Sequence, residues 1–310
     1  VNRQWERIFG TGLVKTSENL GSQGEFPSHP ELLDWLAAAF MEGDGLPAVE
    51  GRPARPWDMK AFLKLLVTSS VYRQGARVAP EALARDPDNR LLARFPRVRL
   101  PGEIVRDRAL AAAGLLVPTV GGPSVRPWMP EGVWDDTSRY GNLRGYMPDT
   151  GPGRFRRGMY TVWKRTAGPP TMLLFDAPNR ETCTVKRART NTPLQALSLL
   201  NEPTFLEAAA GLARRMVAEG TDDRSRLARG FGLAVGRAAD AAEVDTLLDG
   251  LAADRATFAA DPAAAERFVT AGSAGRTLGE VTGGMPASEF APWCLAANVI
   301  LNLDEFVMRE

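Results

Sequence analysis

The stretch CTVKRARTNTPLQALSLLN, Cys183 to Asn201, places Lys186, Arg187 and Arg189 directly before Asn191, Thr192 and Pro193. Thr192, Pro193 and Gln195 have the spacing of a helix start, with a capping hydroxyl, a proline at the first helical position and a glutamine at the third. The first amides of such a helix lack intrahelical partners and carry a partial positive charge. Guanidinium groups at the same end add to it, and Asn191 can donate from its side-chain amide, so the chemistry on offer is capture of an anion. Lys164, Arg165 and Arg180 lie on neighbouring segments and would converge there if those segments pair as strands. Two outcomes are open. Asp176 and Glu181 can fill the site and form an internal ion-pair network, which is the expected one. Alternatively the site stays open to a sulfate, carboxylate or uronate-like group, with His29 and Glu31 as candidate neighbours.

Other chemistries find less support. Glu25, Glu31, Asp34, Asp176 and Glu181 include candidates for an acid/base pair of the glycosidase type, which needs a defined separation that sequence does not give. His29 is the single histidine, so a His-rich metal site is excluded and a Ser-His-Asp arrangement would have to use that one imidazole. Its position in SHPELLDW, beside a helix start, favours a structural or surface role. The two cysteines, Cys183 and Cys294, exclude a zinc ribbon, a cysteine-rich scaffold and haem attachment through C-x-x-C-H. FGTGLVKTS resembles a phosphate loop only loosely, because Val14 stands where glycine must precede the lysine and no strand is predicted before it.

The elements that must position these residues are mostly helices. Ser28 is expected to cap HPELLDWLAAAF, with Glu31 completing a capping box. Asp58 caps a helix at MKAFLKLLVTSSVYR, and Pro101 opens GEIVRDRALAAA, which Gly114 ends. Thirteen of the thirty-nine residues from Leu115 to Gly153 are Gly or Pro, so regular structure is not expected there. The aromatics Trp128, Trp134, Tyr140 and Tyr146 make that segment an ordered, loop-rich insertion rather than a disordered one. RGMYTVWKR and PTMLLFDA read as short strands. Helices resume at Thr192 and Pro203 and continue over Asp223 to Arg237, Ala241 to Leu251, Ala263 to Val269 and the closing SEFAPWCLAANVILN. The expected fold is mainly α: one module of 310 residues with helical parts at 1–114 and 191–310 flanking a loop-rich part with short strands at 115–190.

Composition bounds the rest. The chain is 44% hydrophobic with a net charge of +1 and a pI near 8.0, enough for a sizeable core. Its longest apolar runs are far short of a membrane span. Charge is uneven: Arg154 to Arg189 holds nine Lys or Arg against two acids, a balance of +7, whereas 240–310 holds twelve acids against four arginines, a balance of −8. The near-neutral total and the absence of a DNA or RNA motif argue against a nucleic-acid partner. VNRQWERIFG reads as the second half of an amphipathic helix, so apolar surface is expected around Val1 and the chain is read as part of a longer polypeptide.

The blocks VNRQWERIFGTGLV, GEFPSHPELLDWLA, LLVTSSVYRQ, DPDNRLLARFPRVRL, GGPSV, YTVWKRT, FDAPNRETCTVKRARTNTPLQALSLLNEP and NVILNLDEFVMRE together resemble the planctomycete-type PSD1 family, domain of unknown function 1553. The resemblance implies a C-terminal module of an exported, periplasmic or secreted bacterial protein, preceded by a sister domain and often by a cytochrome c-like domain. No cofactor is expected in this chain, and haem c belongs to an upstream domain if it is present. The family implies no reaction. Three readings follow: a partner or scaffold module packing on the upstream domains, a protein that binds or degrades acidic or sulfated polysaccharide, and an accessory to cytochrome c electron transfer.

Overall fold

The computed structural model describes residues 1–135, 145–273 and 275–309. These residues hold fourteen α-helical segments and one two-stranded ladder, β1 (Val98–Arg99) with β2 (Met308–Arg309). The protein is mainly α. No helix among the described residues is long and apolar enough to cross a membrane. The chain divides into two compact units, Val1–Val98 with Met308–Glu310, and Arg99–Val307.

The first unit carries α1 (Asn2–Phe9), α2 (Pro30–Glu42), α3 (Met59–Thr68) and α4 (Pro80–Arg85). Trp5, Ile8 and Phe9 of α1 recur at helical spacing and bury one face against Leu36, Phe62, Leu66 and Phe95. Aromatic pairs dominate this core, with Trp5 and Phe9 4.3 Å apart and Phe40 and Phe62 5.0 Å apart between centroids; each such contact adds to simple burial. Val1 packs half-buried on the same cluster. Asn2 clasps the following loop in both directions, its Nδ2 donating to Val14 O at 3.0 Å and its Oδ1 accepting from Val14 N at 2.9 Å. That clasp requires Gly12, since a Cβ there would lie 2.5 Å from Val14 O.

The start of α2 corrects the capping expectation. His29, not Ser28, is the N-cap, and no side chain caps the helix. The cause is Pro30: a proline at the first helical position forces the residue before it out of the helical region, which fixes the N-cap at position 29. Ser28 donates its amide to Leu13 O at 2.8 Å, and its Oγ lies 3.0 Å from His29 Nδ1. Asp58 caps α3 as expected, accepting from Ala61 N, and Arg52 Nη1 donates to its other oxygen at 2.6 Å.

The second unit contains α5 (Gly102–Ala112), α6 (Pro170–Leu174), α7 (Pro193–Asn201), α8 (Pro203–Glu219), α9 (Asp223–Val235), α10 (Ala241–Ala260), α11 (Pro262–Ala271), α12 (Leu278–Thr282), α13 (Ala287–Leu301) and α14 (Asp304–Val307). Its centre is α8, which packs on α5, α9 and α13. Small residues permit the close approach: Ala208, Ala209, Ala210 and Ala213 are buried, and a Cβ on Gly211 would sit 2.9 Å from Ala113 Cβ. Capping boxes at Asp222, Asp240 and Thr277 open α9, α10 and α12. Arg237 ties α9, α10 and α14 together through paired bonds of 2.6–2.9 Å to Glu243 and Glu305.

The two segments expected as strands are not strands. In RGMYTVWKR, Gly158–Tyr160 is a 3₁₀ turn, and Thr161 makes a single parallel bridge to Val125. PTMLLFDA forms α6, with Pro170 in its first turn. Met172 and Phe175 are buried while Leu173 is exposed, an i, i+3 pattern that alternation cannot produce. Within the loop-rich insertion Trp134 is buried and Tyr146 donates its hydroxyl to Pro127 O at 2.5 Å; Tyr140 lies outside the described residues.

Candidate functional site

Residues 181–191 are exposed throughout. Arg187 donates from Nη1 to both carboxylate oxygens of Glu103 at 3.0 Å. Asp176 is engaged by Thr190. It accepts from Thr190 N at 2.7 Å and from Thr190 Oγ1 at 2.8 Å, holding a positive φ of 61° to do so. Thr190 Oγ1 in turn accepts from Gln195 Nε2 at 3.0 Å, and Gln195, fully buried, accepts from Arg99 Nη2 at 3.0 Å. The amide that opens α7 is taken by Thr192 Oγ1 at 3.3 Å. The glutamine of the expected capping box therefore points inward, to Leu174 O at 2.9 Å, instead of back to the cap.

The remaining candidates have separate surroundings. Arg180 lies over the Trp163 ring at 4.4 Å and Lys164 over the Trp134 ring at 4.4 Å. Burial pushes the Lys164 ammonium below its usual range, with Asp135 opposing the shift. Arg165, Glu181, Arg189 and Asn191 are exposed. His29 and Glu31 belong to the first unit, where they open α2. The expected convergence of Lys164, Arg165 and Arg180 on the start of α7 rested on strand pairing, and those strands do not form.

The buried ionic chemistry sits instead on α5 and α8. Glu207, 4% exposed on α8, accepts on Oε1 from Arg154 Nη2 and, at 3.0 Å, from Arg276 Nη2. Burial raises its carboxyl above the usual range although both arginines pull it down. On α5, Arg106 donates to Arg156 O at 2.8 Å and Arg154 O at 2.6 Å, and Asp107 accepts from Gly158 N at 2.6 Å. Arg156 holds the loop at 119–123 through the carbonyls of Thr119, Gly121 and Pro123. These arginines satisfy carbonyls that an irregular segment would otherwise bury unpaired.

Beside this cluster is a cleft with about 30 Å³ of internal space, whose lining includes Arg106, Trp128, Thr161, Met172, Glu202 and Phe205. Glu202 is the single residue between α7 and α8. Its Oε1 accepts from Thr204 Oγ1 at 2.9 Å, while Oε2 is sealed from solvent and has no hydrogen-bond partner among the described residues. Burial pushes the carboxyl up to about 7, against the pull of Thr204 and Arg106. Among the described residues Glu202 is the one carboxylate that lines this cleft, which gives no glycosidase-like pair there. Sequence reading passed over Glu202 and Glu207. The available signals were a lone glutamate inside the apolar run FLEAAAGLA and the i, i+3, i+4 spacing of Glu103, Arg106 and Asp107.

Fold and site together define a mainly α protein whose second unit holds a set of buried arginine–carboxylate contacts. Residues 1–251 match the family described as PSD1, a protein of unknown function (DUF1553), and the chain belongs to that family. The match includes the whole stretch from Cys183 to Asn201 and the cleft residues. No curated protein and no solved structure matches the chain.

Proposed function

We propose that the chain is a binding module of an exported bacterial polypeptide, and that it docks the domains which the family resemblance places before it. The observation that carries this reading is the outer face of α7, where Leu194, Leu197 and Leu200 are 62%, 55% and 40% exposed. Leu173, on the neighbouring α6, is also exposed. Covering a leucine is worth about 1.5–3 kcal/mol, so leaving these in water is a cost that a partner surface removes. The adjoining 180–189 stretch holds four cations against Glu181, a balance of +3, which suits a partner with an acidic rim. A face of this size is small for a free bimolecular complex, which buries about 800 Å² per partner. A partner in the same polypeptide acts at millimolar effective concentration and needs less.

Amide hydrogen exchange tests this. In the full-length polypeptide the amides of residues 193–201 should exchange more slowly than in this chain alone, and Leu197→Lys should remove the difference. Equal exchange of α7 in the two proteins would refute the docking.

A further inference from the structure

Arg106 Nε, Thr161 Oγ1 and Glu202 Oε2 are each sealed from solvent without a hydrogen-bond partner among the described residues. All three residues line one cleft. Buried polar atoms are normally paired, because leaving one unpaired forfeits its hydration, so three on the lining residues of one cleft point to a guest that supplies the missing bonds. The chemistry of the three atoms selects it. Arg106 Nε can only donate and Glu202, which is mainly ionised at pH 8, can there only accept, whereas the Thr161 hydroxyl can do either. A group that accepts from the first and donates to the second is a hydroxyl. Charge narrows the choice further: an anion entering the cleft meets Glu202 and a cation meets Arg106, while a neutral guest is opposed by neither. The rest of the lining is largely apolar, with Trp128, Met129, Met172 and Phe205, and it fits the carbon face of such a molecule. Trp128 is 38% exposed and so presents its indole to a guest that extends outward. The space, about 30 Å³, admits a hydroxyl-bearing end rather than a whole ring.

We propose that this cleft binds the end of a neutral polyhydroxylated ligand, a polyol or uncharged sugar, through Arg106, Thr161 and Glu202. The site uses other residues than the exposed leucines of α6 and α7, and the two proposals are tested by separate experiments.

The test is a titration of the ¹⁵N-labelled chain at pH 8, where Glu202 is mainly ionised, with glycerol and glucose, and with glucuronate and glucosamine as charged counterparts, read at the Arg106 Nε–H resonance. The neutral compounds should shift that resonance saturably and the charged ones should not. Thr161→Val keeps the side-chain shape and should weaken glucose binding about fivefold to tenfold, as expected for one hydrogen bond. Glu202→Gln should admit glucuronate, because the opposing charge is gone. Absence of any saturable shift would mean that the cleft holds water only, and would overturn the proposal. So would a stronger response to glucuronate than to glucose in the unmodified chain, or unchanged affinity in a folded Thr161→Val variant. If Thr161→Val does not fold, the comparison of neutral with charged compounds on the unmodified chain decides the matter alone.

Discussion

Glu202 shows how one carboxyl can set a pH dependence. Its group titrates near 7 in the folded protein against 4.5 for an ordinary glutamate, chiefly because of burial. Between those values the folded protein holds a proton that the unfolded chain has released, so stability falls as pH rises through the window and is level above it. The shift corresponds to at most about 3 kcal/mol. Glu202→Gln should therefore be more stable than the parent at about pH 8, by up to that amount, and nearly equal to it at about pH 5. Urea midpoints at the two pH values check this, and parallel profiles for both proteins would contradict it. The contrast with the basic stretch is instructive. Lys186, Arg187 and Arg189 catch the eye because they are adjacent in sequence, yet their side chains lie in an exposed loop. Arg106 stands about a hundred positions before Glu202 and Glu207 and comes near them only through the packing of α5 against α8, which residue spacing does not report.

At the scale of elements, glycine separates packing from propensity. Gly211 on α8 faces α5, where a new Cβ would lie 2.9 Å from Ala113 Cβ and 3.0 Å from Ala113 O. Gly211→Ala should destabilise by about 1–2 kcal/mol, since overpacking of about 1–3 kcal/mol exceeds a helix-propensity gain of at most about 1 kcal/mol. Gly250, in the middle of α10, has nothing within 4 Å of such a Cβ. Gly250→Ala should stabilise by up to about 1 kcal/mol, and chemical denaturation distinguishes the two signs. Caps give a second contrast. Thr192→Ala should cost about 1 kcal/mol, because its Oγ1 receives the Gln195 amide, whereas Ser28→Ala should change stability by less than about 0.5 kcal/mol. Most helices were legible because their start signals are local: Asp58, Thr192 and Pro203 stand where the chain turns into a helix. The misreadings have local causes too. At His29–Pro30 the proline outranks the serine before it, and in PTMLLFDA a short apolar run is ambiguous in period until Pro170 fixes it as a helix.

For the whole molecule, the division into two units predicts two unfolding transitions. Phe62 is fully buried in the aromatic core of the first unit, and Phe62→Ala should remove about 3–5 kcal/mol from that unit's transition alone. Gly211→Ala should lower only the transition of the second unit. Calorimetry of both variants decides it: a single transition that shifts with either substitution would show that the units unfold as one. The charge asymmetry read from the sequence also resolves at this scale. Within the second unit two acids of the −8 region, Glu243 and Glu305, pair with Arg237, which lies outside the +7 region, so the one region is not simply neutralised by the other.

The packing of α5 on α8 carries a consequence for synthesis. Val105, Ala109 and Leu110 are buried in the finished protein, yet α8 begins about ninety positions after α5 ends. At a ribosomal rate of about 5–20 residues per second the nascent chain waits roughly 5–20 s between the two. Throughout that interval the apolar face of α5 lacks its main packing partner, and a cell that slows translation over residues 113–202 lengthens its need for a chaperone.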